Sequence, residues 1–277
     1  MPNNKISVLV ASEHALPTAF TVFRGLRQGF EDAARLGYDG IELAVRGGSE
    51  FSAAEVRGLL SEYGLGISAI STGQVFADRG LWLSAKDEAV SNAAIGEFNS
   101  IVDMASELGC LVNIGRARGF IEGGEAQAET TRRFAKSMGQ VAAHAKKRGV
   151  AMVIEPVNRY ETNYINSVGE GAALLAELEA CGIGCLGLMP DLFHMNIEDA
   201  SMEGSLRKYA KHIKYVHLAD SNRLAPGWGH TDFKLMLDTL DDIGYDGWYA
   251  VEILPRPDPE SAAKQAIEYI KSIGILR

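Results

Sequence analysis

Cysteine is scarce in this chain. Cys110, Cys181 and Cys185 are three among 277 residues, an odd number without metal-ligand spacing, which argues against a disulfide framework or a thiolate zinc site and fits reduced thiols. Long apolar runs are missing as well. The opening MPNNKISVLVAS holds one Lys and an apolar stretch far too short for a signal peptide, and nothing later approaches a membrane-spanning length, so a cytoplasmic protein with no membrane partner is expected. Positive charge is in deficit: 27 Lys and Arg stand against 36 Asp and Glu, a formal net charge of −9 with no basic cluster. A nucleic-acid partner would demand a basic face, so none is expected. No low-complexity stretch, charge block or linker interrupts the chain, and residues 1–277 are read as a single domain. Nor does a G-x-G-x-x-G follow the first apolar run, which speaks against a dinucleotide site.

What is present is a repeat of short β-rich runs, each followed by a loop and a longer stretch with apolar residues three and four apart. The runs are ISVLV, DGIEL, GISAI, LVNIG, AMVIE, CLGLM, IKYVH and GWYAVEI. Glycine stops at Gly37, Gly64, Gly109, Gly149 and Gly244 end the intervening helices, and the next strand begins a few residues on. Eight repeats with nothing left over predict an α/β fold, a closed (β/α)8 TIM barrel. TGQVFADRGLWLS, RARGFIEGG, PVNRYETNYINS and ADSNRLAPGWGH follow the third, fourth, fifth and seventh runs and read as long loops. Loops of that length commonly serve a site.

Four of the runs end in a side chain able to hold a metal: Glu155, Asp191, His217 and Glu252. If the runs are parallel strands, all four emerge at one rim, the face at which such barrels do chemistry. Any one of them could instead cap the following helix. Four at matching places, one an imidazole, point to a single divalent ion. Three carboxylates and one imidazole suit Mn²⁺ first, with Mg²⁺ or Co²⁺ as alternatives, better than a structural zinc.

Beyond the four, Glu161 lies six residues after Glu155, His194 three after Asp191, and Arg223 six after His217. With this spacing the chain resembles, over its whole length, the ketose 3-epimerases of the xylose isomerase-like barrel superfamily, such as D-tagatose 3-epimerase. The strings VIEPVNRYET, DLFHMNIE, HLADSNRLAPGWGHTDF and VEILP are more similar still to bacterial 5-keto-L-gluconate epimerases. The resemblance implies that Glu161, His194 and Arg223 hold substrate hydroxyls and the carbonyl oxygen. It also implies a homodimer or homotetramer, the common state of related barrels. Taken singly, the three residues would pass for a solvated loop glutamate, a buried histidine on the backbone and a surface ion pair.

The chemistry fits on its own terms. A divalent ion chelated by a ketone and its neighbouring hydroxyl acidifies the proton between them, and a carboxylate can then remove it. Epimerisation returns the proton on the opposite face and needs two bases. Glu155 and Glu252 are therefore expected to be both metal ligands and the acid/base pair, with Asp191 and His217 as ligands only. Arg46, in ELAVR, and Arg118, in GRARG, could reach the rim and pair with a carboxylate, which suggests a keto sugar acid of the 5-keto-L-gluconate or D-tagaturonate type. Pairing with a neighbouring acid would serve either arginine as well. His230 and Asp232, in GWGHTDF, form a further polar cluster, either site wall or helix cap.

The expected function is thus a metal-dependent epimerase acting beside the ketone of a small keto sugar or sugar acid, through an enediolate. The alternatives are a neutral ketose 3-epimerase, a hydroxypyruvate-type isomerase or an inosose dehydratase. A non-catalytic sugar-binding barrel would have no use for two such glutamates. An endonuclease IV-like nuclease needs more imidazoles than the six histidines here provide.

Overall fold

The computed structural model describes residues 4–274. Eight parallel strands form the sheet: β1 (Lys5–Ala11), β3 (Gly40–Ala44), β4 (Gly66–Ser71), β5 (Leu111–Ile114), β6 (Met152–Ile154), β7 (Leu186–Leu188), β8 (Val216–Leu218) and β9 (Trp248–Val251). They coincide with the eight β-rich runs. A ninth, two-residue strand, β2 (Phe23–Arg24), lies beside the end of β1. The order β7-β6-β5-β4-β3-β1-β9-β8 curls the sheet round, and two isolated parallel bridges, Leu188 to Ile213 and Asp191 to His217, close the seam between β7 and β8. The fold is the expected (β/α)8 TIM barrel.

Local chemistry sets the helices that wrap it. Ser52, Asp87, Ser167 and Asp258 each accept a backbone N–H of the first turn, and Pro259 follows Asp258 at a position where a missing N–H costs nothing. Gly37, Gly64, Gly109 and Gly149 end four helices in the left-handed conformation, as expected. Gly244 also has positive φ but sits one residue beyond the helix cap at Ile243. The segment TGQVFADRGLWLS, after the third run, proves to contain the helix Gly73–Arg79.

The core has two parts. One large apolar layer lies between sheet and helices. A smaller cluster fills the barrel lumen and includes Val153 of β6, Met189 just after β7, Tyr215 just before β8 and Ala250 of β9. Side chains alternate along a strand, so two residues further on from each of these, Glu155, Asp191, His217 and Glu252 also face the lumen. The apolar layer is the floor on which the four polar side chains stand, at the rim formed by the strands' C-terminal ends. No helix among the described residues is long and apolar enough to cross a membrane.

Candidate metal centre

Glu155, Asp191, His217 and Glu252 offer ligand atoms that all lie within 4.8 Å of one another, the one such group among the described residues. Asp191 does two things at once. Its Oδ1 accepts from the Phe193 N–H at 2.8 Å and caps the helix Leu192–Glu198, while Oδ2 turns into the cluster. The imidazole of His217 is fully enclosed, and its Nδ1 lies 3.3 Å from Glu252 Oε2, 3.7 Å from Glu155 Oε1 and 3.9 Å from Asp191 Oδ2. That nitrogen has no hydrogen-bond partner, although burial of an unpaired polar atom is costly. An unsatisfied ring nitrogen facing three carboxylate oxygens fits a divalent cation.

Arg223 crosses the cluster. Its guanidinium donates to Asp191 Oδ2 at 2.7 Å and to Glu252 Oε2, and it lies between the rings of Phe20 and Phe193, 4.6 and 4.8 Å from their centres. Three carboxylates against one fixed guanidinium leave two negative charges when His217 is neutral, again the complement of a divalent ion.

Burial and mutual repulsion govern the titration of these groups. Desolvation, helped by Glu252, raises the Glu155 carboxyl above its ordinary range. Desolvation pushes Asp191 up to about 6, with Glu252 and Glu155 adding to the effect against Arg223 and His217. For Glu252 desolvation is outweighed by the Arg223 and His217 charges, and its pKa falls. His217 is likewise desolvated, but Glu42 and Glu252 overcome this and raise it well above the usual imidazole range.

A cavity of ≈ 300 Å³ opens over the cluster, and Glu155, Glu161, His194, Arg223 and Glu252 line it. Asn158 ties two of these together, with its Nδ2 3.0 Å from Glu161 Oε1 and 2.7 Å from His194 Nδ1. If Asn158 donates to Nδ1, His194 carries its proton on Nε2, which points to Glu155 and Asp191 at 3.7 and 3.9 Å. Burial holds the ring neutral, its pKa well below the ordinary value. Desolvation also raises Glu161.

Three residues expected at the site lie elsewhere. Arg118 is wholly buried and makes five hydrogen bonds to the carbonyls of Gly115, Glu155, Tyr164 and Ile165 at 2.7–3.1 Å. Its guanidinium stitches two rim loops together and has no donor left for a substrate. Arg46 pairs with Glu50 at 2.7 Å and does not line the cavity. His230 is exposed and bonds to Ser221 Oγ at 2.9 Å, and Asp232, two residues on, caps the helix Phe233–Asp242.

Arg116, two residues before Arg118, is the arginine that does line the cavity. It lies over the Phe76 ring at 4.8 Å, its Nε has no partner, and its nearest acid is Glu161 at 3.9 Å. Also unforeseen was the wall formed by residues 12–22, which brings Leu16, Thr18 and Phe20 over the site. Its polar, turn-rich sequence carries no periodic pattern, and it is held by contacts to distant segments, among them the Gln74 carboxamide accepting the Leu16 N–H at 3.1 Å, Ser12 Oγ donating to Glu50 Oε1 at 2.6 Å and the Arg24 guanidinium on the carbonyls of Ala15 and Leu16.

Comparison with known proteins agrees with this fold. A family model described as xylose isomerase-like TIM barrel matches residues 30–273. The chain is 33% identical over 227 residues to a ketose 3-epimerase of Arthrobacter globiformis, covering 80% of this chain and 75% of the relative. It is 32% identical over 216 residues to an L-ribulose 3-epimerase of Mesorhizobium japonicum, covering 76% and 69%. Among solved structures, a D-allulose 3-epimerase from Methylomonas sp. in complex with D-allulose superposes with a TM-score of 0.80 at 26% identity, over 98% of this chain and 99% of the other.

Proposed function

Because this chain belongs to the xylose isomerase-like TIM barrel family, we propose that it is a sugar epimerase of the ketose 3-epimerase type, dependent on a divalent ion held by Glu155, Asp191, His217 and Glu252. Its relatives are named as epimerases of D-psicose, L-ribulose and ketoses generally. The preferred substrate is a small neutral ketose, ahead of the keto sugar acid expected from the sequence, whose two chosen arginines do not line the cavity. The ion, Mn²⁺ by preference, would polarise the ketone and the neighbouring hydroxyl and so acidify the carbon between them.

One observation carries the reading. Each glutamate keeps one carboxylate oxygen in the cluster and one outside it. Glu155 directs Oε1 to His217, and Oε2 lies 3.4 Å from Asn113 Nδ2, beside Gly115, where an added Cβ would come within 2.8 Å of it. Glu252 directs Oε2 to His217 and Arg223, and its Oε1 makes no hydrogen bond among the described residues. Two carboxylates arriving from β6 and β9 supply the two bases that inversion at carbon requires. The raised Glu155 and the lowered Glu252 also differ in proton affinity, as an acid and a base should. His194 and Arg223 present N–H donors where charge would develop on the ketone oxygen.

Arg116 sustains a second reading. A cation on the cavity wall with an unpartnered Nε could pair with the carboxylate of a keto sugar acid.

The test is proton NMR in heavy water with Mg²⁺-loaded protein and D-fructose, D-tagatose, 5-keto-L-gluconate or D-tagaturonate in separate tubes. Deuterium at C3 of a neutral ketose, with its 3-epimer appearing, is the expected result. Exchange confined to the sugar acids would move the assignment to the second reading, and label at C1 would make the protein an aldose–ketose isomerase. Glu155→Gln and Glu252→Gln should each lose at least ~10²-fold in turnover. Near-normal turnover in both, with metal retained, would defeat the two-base scheme.

A further inference from the structure

One buried carboxylate has no part in the chemistry above. Glu42 stands on β3, fully enclosed and projecting into the lumen below the rim. Its Oε2 accepts from the Tyr215 hydroxyl at 2.8 Å and lies 2.9 Å from His217 Nε2. Its Oε1 is buried without a partner. Tyr215 Oη is in turn 2.6 Å from Ser68 Oγ, which reaches Ser7 Oγ at 2.8 Å and the Ile41 carbonyl at 3.0 Å. Polar side chains in this part of the lumen are therefore connected from Ser7 to His217, and they end on the ring that the cluster uses.

The direction of the last hydrogen bond follows from the groups. A carboxylate has no proton to give, so His217 must donate from Nε2. The lone pair of a neutral ring is then on Nδ1, the atom that faces Glu155, Asp191 and Glu252. We propose that Glu42 is the positioning residue of the metal centre, fixing His217 in the Nε2–H tautomer and in ring orientation, and lending it negative charge so that Nδ1 is a stronger ligand. Acidic partners on the far nitrogen of a ligating histidine commonly act in this way. The inference rests on the reading of the four residues as metal ligands.

The experiment compares wild type with Glu42→Gln, Glu42→Leu and Tyr215→Phe in the full chain. Calorimetry measures Mn²⁺ affinity, and long-range proton–nitrogen NMR of isotope-labelled histidine in the Zn²⁺-saturated protein reads the tautomer. Glu42→Gln keeps an acceptor but no charge, so the Nε2–H signature should persist while Mn²⁺ binds ~10-fold more weakly. Glu42→Leu removes both and should lose the signature and bind ~100-fold more weakly. Tyr215→Phe should leave affinity near that of wild type. A purely structural Glu42 would lower the melting temperature of its variants but not move Mn²⁺ affinity or the tautomer. Wild-type binding together with Glu42→Gln and Glu42→Leu affinities within about twofold of it, or a proton found on Nδ1 in wild type, overturns the proposal and leaves the epimerase reading standing. No Mn²⁺ binding by wild type overturns both. Should Glu42→Leu fail to fold, the Gln variant decides.

Discussion

Two arginines a single residue apart show how little a side chain's type says about its work. Arg116 and Arg118 flank Ala117 in one short 3-10 turn. Arg118 turns inward, and desolvation lowers its pKa to about 10, so it stays charged at neutral pH while it binds backbone carbonyls. Arg116 turns toward the cavity. Sequence reading placed Arg118 at the rim and passed over Arg116, because which of the two faces the cavity depends on which way a three-residue turn faces. Arg118→Met would strand the buried carbonyls and is expected to cost on the order of 3–5 kcal/mol, seen as a fall of several degrees or more in melting temperature. Arg116→Met should barely change stability but raise KM for a keto sugar acid ~10-fold, with KM for a neutral ketose little altered. Equal effects on both substrate classes would remove Arg116 as a reader of substrate charge.

At the level of elements, the strands and the four rim residues were legible because both obey a short period: an apolar run, then a ligand two residues beyond a lumen-facing core side chain. Asp191 meets the cap expectation with one oxygen and turns the other into the cluster. The wall at residues 12–22 and the Glu42–His217 contact were not legible, since neither has a local pattern and both join segments far apart in sequence. The loop after β8 depends on a residue of the same hidden kind. Asp220 is buried and accepts the backbone N–H groups of Ser221, Gly227, Gly229 and Thr231 at 2.7–3.0 Å, and its own carbonyl accepts from the Arg223 N–H at 2.8 Å. This clamp holds Arg223 at φ 63°, a left-handed conformation that costs a non-glycine residue ~1–2 kcal/mol. Although burial acts to raise the Asp220 carboxyl, the four N–H donors overcome it and its pKa falls. The stability it contributes is therefore present above the ordinary aspartate range and is lost as pH falls through its depressed value. Asp220→Asn should lower stability by ~1–3 kcal/mol at neutral pH and reduce kcat through misplacement of Arg223. A variant with wild-type turnover and denaturation midpoint would show that the loop holds its shape without the charge.

For the molecule as a whole, the weakest join in the barrel and the candidate metal centre coincide. Every neighbouring pair of strands in the sheet shares a hydrogen-bonded ladder except β7 and β8, which meet only through two isolated bridges, and one of those links Asp191 to His217. An ion held by those two residues together with Glu155 and Glu252 would tie β7 to β8 and both to their outer neighbours. Binding must displace protons, because Asp191 titrates near 6 and His217 is raised well above the ordinary imidazole range. Below about pH 6 the ion competes with protons held by Asp191 and His217, and the raised Glu155 carboxyl adds to that competition. The stabilisation conferred by Mn²⁺ should thus grow as pH rises from below to above about 6, reaching ~2.7 kcal/mol at a hundredfold excess over Kd, with protons released in calorimetry. Hydrogen exchange should slow most in β7 and β8, where the ion supplies the cross-link that the ladder lacks. A melting-temperature increment that is flat across this range would mean that these groups are already deprotonated before the ion arrives. Protection spread evenly over the strands would mean that the seam needs no help from the metal.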